Sequence, residues 1–141
     1  HPNDVHTLAL VATYAQHQYD FTRDASRGET IISGNDVDTA PRWLASAHWR
    51  ARFKENATSE FELSHIGPHF INAANTAKYS GHTLLNWRGN WELSNKVRLF
   101  ARMINLLDKE YADRADYAFG SYRYFPGLPR QFYLGAELEF N

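Results

Sequence analysis

Apolar and polar positions alternate with a period of two along most of this chain. From Gln131 to Phe140, the residues Phe132, Leu134, Ala136, Leu138 and Phe140 are apolar, and those between them are mostly polar. From Arg42 to Phe53, Trp43, Ala45, Ala47, Trp49, Ala51 and Phe53 alternate with Ser46, His48, Arg50 and Arg52. Such alternation gives each strand one apolar and one polar face, which suits a strand with lipid on one side and a polar lumen on the other. The pattern predicts about six strands: Val5–Phe21, Arg42–Phe53, Thr58–Phe70, His82–Leu93, a fifth from Val97 to Met103 that continues through the Asn105–Asp113 block, and Gln131–Phe140. Only the first alternates poorly, because small or apolar residues occupy both its faces (Leu8, Leu10, Ala12 and Tyr14 against Thr7, Ala9, Val11 and Thr13).

The connections alternate as well. Arg23–Ala40, with Gly28 and Gly34, is a long acidic loop; Lys54–Ala57 is a short link. Ile71–Gly81 is long, Ser94-Asn95-Lys96 is a tight turn, and the Tyr- and Gly-rich Tyr117–Pro129 is long again. Outer-membrane barrels place short periplasmic turns at one end and longer extracellular loops at the other. Trp43 and Phe53 share a face ten residues apart, which is ~33 Å along a strand and ~25 Å along the normal at a ~40° tilt, the height of an apolar band between aromatic girdles. The bland alternative is that these aromatics are the core of an ordinary soluble sheet.

Facing residues in an antiparallel pair share a side, so the alternation also constrains register. For the hairpin around Lys54–Ala57 it predicts Trp49 opposite Leu63, Arg50 opposite Glu62 and Arg52 opposite Glu60. For the hairpin around Ser94–Lys96 it predicts Leu93 opposite Val97 and Glu92 opposite Arg98. Trp43, Trp49, Trp87, Trp91, Leu134 and Leu138 are expected on one bare side of the sheet, and His48, Arg50, Arg88, Glu92, Glu137 and Glu139 on the other. The first and last strands are expected to remain as open edges.

Composition narrows the class further. The longest apolar run is Leu8–Ala12, far short of the roughly 20 residues a spanning helix needs. A net charge of −1 with scattered Lys and Arg gives no nucleic-acid footprint. The 141 residues contain no Cys, and begin at His1 without a Met or a secretory signal, so a fragment is expected.

Candidate chemistry is sparse, and no catalytic constellation, cofactor motif or metal site stands out. His65 and His69 would lie ~13 Å apart on a strand, too far to share an ion, and His17, His48 and His82 read as polar-face or loop residues. Asp24, Glu29, Asp36 and Asp38 lack the spacing of a calcium loop. The Tyr117–Pro129 loop holds Tyr117, Phe119, Tyr122, Tyr124 and Phe125 around Arg123. Tyr117, Tyr122 and Tyr124 suit stacking on an aromatic or catecholate-like ligand, with Arg123 for an anionic one; equally, these rings stiffen the loop or continue the girdle.

Asn105-Leu106-Leu107-Asp108-Lys109-x-Tyr111, the loop exit Tyr124-Phe125-Pro126-Gly127-x-Pro129-Arg130 and the aromatic ending at Phe140 resemble the C-terminus of the TonB-dependent outer-membrane receptors. Asn75-Thr76-x-x-Tyr79-x-Gly81-His82-x-Leu84-Leu85-Asn86 is similar to the segment that leads into that family's third-last strand, so the resemblance spans nearly the whole chain. One departure is Asn141, which follows the Phe that usually comes last. The resemblance implies that residues 1–141 are the C-terminal portion of a 22-stranded outer-membrane β-barrel in a Gram-negative bacterium: an all-β, antiparallel up-and-down meander of about six transmembrane strands. It implies a transporter for a scarce ligand such as a ferric siderophore or similar iron complex, and no enzyme. The implied partners are the plug and remaining strands of the same receptor, the TonB complex, outer-membrane lipid, and the barrel-assembly machinery, reached through the strand ending at Phe140. The rival readings are a passive outer-membrane pore or small barrel, and a soluble β-sandwich binding module.

Overall fold

A computed structural model describes residues 5–24, 29–53 and 55–140; Gly28, Lys54 and Asn141, which belong to the sequence readings above, lie outside them. Its strands are β1 (His6–Tyr14), β2 (Arg23–Asp24), β3 (Thr30–Ile31), β4 (Trp43–Phe53), β5 (Ala57–Ile66), β6 (His69–Phe70), β7 (Lys78–Tyr79), β8 (His82–Ser94), β9 (Val97–Ile104), β10 (Ala112–Ala118), β11 (Ser121–Pro126) and β12 (Gln131–Leu138). The long strands form one antiparallel meander in the order β1-β4-β5-β8-β9-β12, and β1 does not pair with β12. The short strands form separate hairpins, β2–β3, β6–β7 and β10–β11, within the three long connections.

The registers place the side chains as the alternation requires. Leu8, Trp49, Phe61, Trp87, Met103 and Phe132 follow one another across the apolar face, each directly opposite the next. No second layer of this chain covers that face among the described residues, and Leu10, Trp43, Trp91 and Leu134 are each at least half exposed. A soluble sandwich would bury such a surface. Trp87 donates its indole N–H to Ser59 Oγ at 2.8 Å, which satisfies its polar atom on this side.

The β8–β9 hairpin pairs Glu92 with Arg98 as expected, but a bulge puts Ser94, rather than Leu93, opposite Val97. The β4–β5 hairpin is slipped by two residues from the expected register. Trp49 faces Phe61, Arg50 faces Glu60, and Arg52 faces Thr58. A two-residue slip leaves every side chain on its proper face, so periodicity cannot detect it. Turn length decides instead, since closing the link after Phe53 against Ala57 adds a cross-strand pair.

Several strand limits differ from the sequence reading, the last strand ending at Leu138 rather than Phe140. β1 stops at Tyr14 instead of Phe21, and one further bond, from the Ala15 N–H to Arg42 O at 3.0 Å, continues its register before the first long connection. β5 stops at Ile66, because Gly67-Pro68 interrupts it and Pro68 has no N–H for a ladder. β9 stops at Ile104, and the Asn105–Asp113 block is mostly a turn rather than strand. Asn105 and Asp108 adopt φ of 51° and 53°, a left-handed conformation that Asn and Asp accept more readily than bulkier residues.

Asn105 closes that turn from inside. It is 0% exposed; its side-chain N–H groups donate to Lys109 O at 2.9 Å and Leu128 O at 3.0 Å, and its Oδ1 accepts the Lys109 N–H at 2.8 Å. Its backbone N–H donates to Asn86 Oδ1 at 3.0 Å, and Asp108 Oδ1 accepts the Arg130 N–H at 3.0 Å. Thus the end of β9, the start of β12 and a side chain of β8 are held at one point. Asn105→Ala removes three side-chain bonds and places Ala at positive φ, so it is expected to cost about 2–4 kcal/mol in urea unfolding in detergent micelles. Asn105→Gly, which tolerates the φ, is expected to cost less. An Ala variant as stable as the parent would show that the turn is held by other contacts.

Candidate functional site

The three long connections fold over the end of the sheet opposite the two tight turns. Their first staple is Asn75, at φ 56°, whose Oδ1 accepts the Asp36 N–H at 2.8 Å and whose side-chain amide donates to Asp36 O at 2.9 Å. Asn35 donates to Ala73 O at 3.1 Å, and the Thr39 N–H meets Phe70 O at 2.8 Å. Asn72 Oδ1 caps the Thr76 and Ala77 N–H groups at 3.1 and 2.9 Å. A small core of Ile71, Ala77, Ala112 and Ala115 then packs the second connection against the β10–β11 hairpin, with Tyr79 and Tyr117 against it.

Tyr79 is the junction of this platform. Its hydroxyl accepts the Ala112 N–H at 3.1 Å and lies 2.9 Å from His82 Nδ1. The His82 ring lies 4.6 Å from that of Tyr111. Tyr111 covers Gly127 so closely that a Cβ there would sit 2.1 Å from the ring, and its hydroxyl accepts the Leu128 N–H at 3.2 Å. Only glycine permits that approach. These contacts leave an open cavity of about 860 Å³ lined by Tyr79, Asp108, Glu110, Tyr111, Tyr124 and Gly127. A cavity of this size with aromatic walls accommodates a drug-sized ligand.

The hairpin separates the residues singled out in its sequence. Tyr117 pairs with Tyr122, with rings edge to face at 5.0 Å, and Tyr122 stacks on Tyr124 at 6.1 Å. Tyr124 in turn lies 6.5 Å from Tyr79, so the ladder of rings runs into the cavity wall. Arg123 points to the other face of the hairpin, opposite Asp116, and its Nε lies 2.5 Å from that carboxylate. Phe125 shares that second face, with the Arg114 guanidinium 5.4 Å above its ring. Tyr79 and Tyr111 were not among the candidates and His82 reads from the sequence only as a polar-face or loop residue, although all three belong to the two sequence blocks quoted for the family resemblance. Their fixed place beside Asn75 and Asn105 was the available signal.

Of the other histidines, His69 sets its ring edge-on to that of Tyr79 at 5.5 Å, while His65 and His48 lie on the two faces of the sheet. His65 Nδ1 lies 2.8 Å from Thr83 Oγ1 on the apolar face, His69 Nδ1 lies 3.1 Å from Gly67 O, and His48 lies 3.5 Å from Glu60 on the polar face. Among the described residues no group of His, Cys, Asp and Glu has the geometry to hold a metal ion. Of the acidic loop residues, Asp36 is engaged by Arg42 at 2.8 Å and Asp24 Oδ1 by the Thr30 hydroxyl at 3.0 Å.

Tyr19 is the titratable group of this end most displaced from its ordinary range. It donates its hydroxyl to Asp38 at 2.6 Å, and that bond, with partial burial and the carboxylate's charge, pushes its pKa from 10.0 up to about 12. A raised folded-state value stabilises the fold fully below pH 10, and that contribution is lost as pH rises towards about 12. The loop is therefore expected to loosen across that window, in a way that Tyr19→Phe abolishes, as read by its proteolysis rate. Identical pH profiles for the two proteins would show that the bond does not hold the loop.

The chain matches the family model described as TonB dependent receptor-like, beta-barrel, over residues 5–106. No curated protein matches its sequence. Among solved structures, the siderophore receptor PiuA from Acinetobacter baumannii superposes with a TM-score of 0.77 at 18% identity, over 96% of this chain and 20% of that one. The ferric-catecholate import receptor Fiu from E. coli K12, in its closed form, gives 0.74 at 17% identity, over 98% of this chain and 19% of that one. The ferric yersiniabactin uptake receptor FyuA from Yersinia pestis gives 0.67 at 17% identity over 77% of this chain. The chain thus spans about a fifth of the length of these receptors, and at such identities the likeness is one of fold. With the family model matched over well beyond half of its length, and with the same meander in three solved receptors, this chain belongs to the TonB-dependent receptor β-barrel family.

Proposed function

We propose that this chain forms the last strands of the wall of an outer-membrane receptor that imports a ferric siderophore or a similar iron complex. The observation that carries the reading is the pairing of a bare apolar sheet face with a built aromatic cavity at the loop end only. The bare face is suited to lipid, where Arg at mid-height costs about 2–4 kcal/mol and no arginine is found among its paired residues. In this orientation the long connections are extracellular and the two tight turns periplasmic. Transport energy then arrives from the TonB complex through a plug that fills the lumen, and the strand ending at Phe140 is the element read by the barrel-assembly machinery. Family membership supports these partners and a Gram-negative outer-membrane location, since the family consists of transport receptors of that membrane.

The ligand surface in this reading is the tyrosine ladder Tyr117, Tyr122 and Tyr124, continued by Tyr79 and Tyr111 around the cavity. Catechol rings or other flat groups stack on such faces. Arg123 serves an anionic group on the hairpin's other side, in exchange for its bond to Asp116. Titration of the full-length receptor in detergent with a ferric tris-catecholate complex, followed by tyrosine and tryptophan fluorescence, tests this. Tyr124→Ala is expected to weaken binding by about 2- to 12-fold, the worth of one aromatic pair, and Arg123→Gln by less, because Asp116 already occupies the guanidinium. Unchanged affinity in Tyr124→Ala and Tyr111→Ala together would remove the cavity from the binding path.

A further inference from the structure

One histidine stands behind the aromatic cavity without lining it. His82, the first residue of β8, is partly buried and touches two of the tyrosines that do line the cavity. The Tyr79 hydroxyl lies 2.9 Å from the Nδ1 of this imidazole, and the Tyr111 ring lies 4.6 Å from it at a tilt of 44°. Tyr79 comes from the second long connection and Tyr111 from the third, so a single side chain of the sheet fixes a ring from each. Both rings are tied in turn to backbone, the Tyr79 hydroxyl to Ala112 and the Tyr111 hydroxyl to Leu128.

The hydrogen positions around Tyr79 follow from counting donors and acceptors. The Ala112 N–H can only donate, so it takes one lone pair of the hydroxyl oxygen at 3.1 Å. The hydroxyl hydrogen then has two acceptors in reach, His82 Nδ1 at 2.9 Å and Ala112 O at 3.4 Å, and the shorter bond is the stronger. That arrangement requires a bare Nδ1, which means a neutral His82 with its proton on Nε2. A second proton on the ring turns Nδ1 into a donor. Two donors then point at one hydroxyl oxygen, whose own hydrogen is left with only the long contact to Ala112 O. Around the ring, burial disfavours the charged form, Asp113 on β10 favours it, and His65 on β5 and His69 on β6 oppose it when charged themselves. Arg114 lines the same recess of about 170 Å³ with His69, His82 and Asp113, and this recess gives the imidazole a route to water.

We propose that neutral His82 is the positioning residue of the cavity, holding Tyr79 and Tyr111 for the ligand, and that a proton on its ring frees Tyr79 from Ala112 and loosens the aromatic lining. The proposal rests on the reading of this cavity as the ligand surface. It makes ligand retention depend on pH through a residue that does not line the cavity. The other imidazoles nearby have no bond that reverses there: His65 meets Thr83 on the apolar face, and His69 donates from Nδ1 to the Gly67 carbonyl.

The test uses the full-length receptor in detergent micelles, with hydrogen exchange of the Ala112 amide and ferric tris-catecholate binding both followed from about pH 7.5 to about pH 5, a span in which imidazoles take up a proton. Comparison with the His82→Gln profile removes the intrinsic pH dependence of exchange and the titration of the probe itself. After that correction the parent is expected to lose protection at Ala112 about five-fold on acidification, the effect of one net hydrogen bond, and to bind the probe more weakly by a similar factor. His82→Gln also lacks the ring beside Tyr111, so Tyr79→Phe supplies a second variant: both rings remain, and Ala112 is expected to exchange fast at every pH. Parallel exchange profiles in the parent and His82→Gln, or a protected Ala112 in Tyr79→Phe, would overturn the proposal. A step in exchange with no step in binding upholds the hold of His82 on Tyr79 and sinks the cavity as the ligand surface, so the two readings fail separately.

Discussion

The structure depends on a steric rule: in a paired strand, neighbouring side chains must point to opposite sides of the sheet. Once the backbones of β1, β4, β5, β8, β9 and β12 pair, Trp49, Phe61, Trp87 and Met103 are forced together on one surface, and Arg50, Glu60, Arg88 and Arg102 on the other. Among the described residues there is no helix with which to cover either surface. In the receptor wall proposed above, the sheet is stabilised from outside as well, by lipid on one side and polar groups on the other. This is the reverse of a soluble sandwich, whose core lies between its own layers.

The three long connections supply what the sheet cannot, a packed interior of the chain's own. Ile71, Asn105 and the alanines of β10 are among its most buried residues, and they lie at the loop end instead of between strands. Asparagine is used there repeatedly. Asn72, Asn75 and Asn105 each satisfy backbone groups that irregular chain leaves without a ladder, which is how loops can be buried at all. The rings of Tyr79 and Tyr111 can then be presented rigidly, so the aromatic cavity is a consequence of how the loops are tied down.

Individual residues show how much was legible. The faces of Trp43, Trp49, Trp87, Trp91 and Leu134 follow from alternation alone, and the Glu92–Arg98 pair from alternation together with the tight turn Ser94–Lys96. The Arg50–Glu60 pairing did not, since Glu62 and Glu60 are equivalent to any argument based on period. Nor did the separation of Arg123 from the tyrosines: Tyr117–Pro129 reads as a loop by its Gly and Pro, yet most of it is a hairpin in which odd and even residues part.

What the sequence by itself determined is therefore the set of quantities that depend on parity and local stereochemistry: the number of long strands in the sheet, the two faces, the alternation of connection lengths, and the residues around Gly127 and Pro129 that end the loops. The tertiary structure decided those that depend on which distant residues meet. It chose the register of β4 against β5, brought Tyr79 and Tyr111 to the lining of one cavity, and placed Arg102 across from Arg88. The physical reason is that a strand's pattern repeats every two residues and so specifies sides. Positions along it are specified only by turn closure and by contacts between segments far apart in the chain.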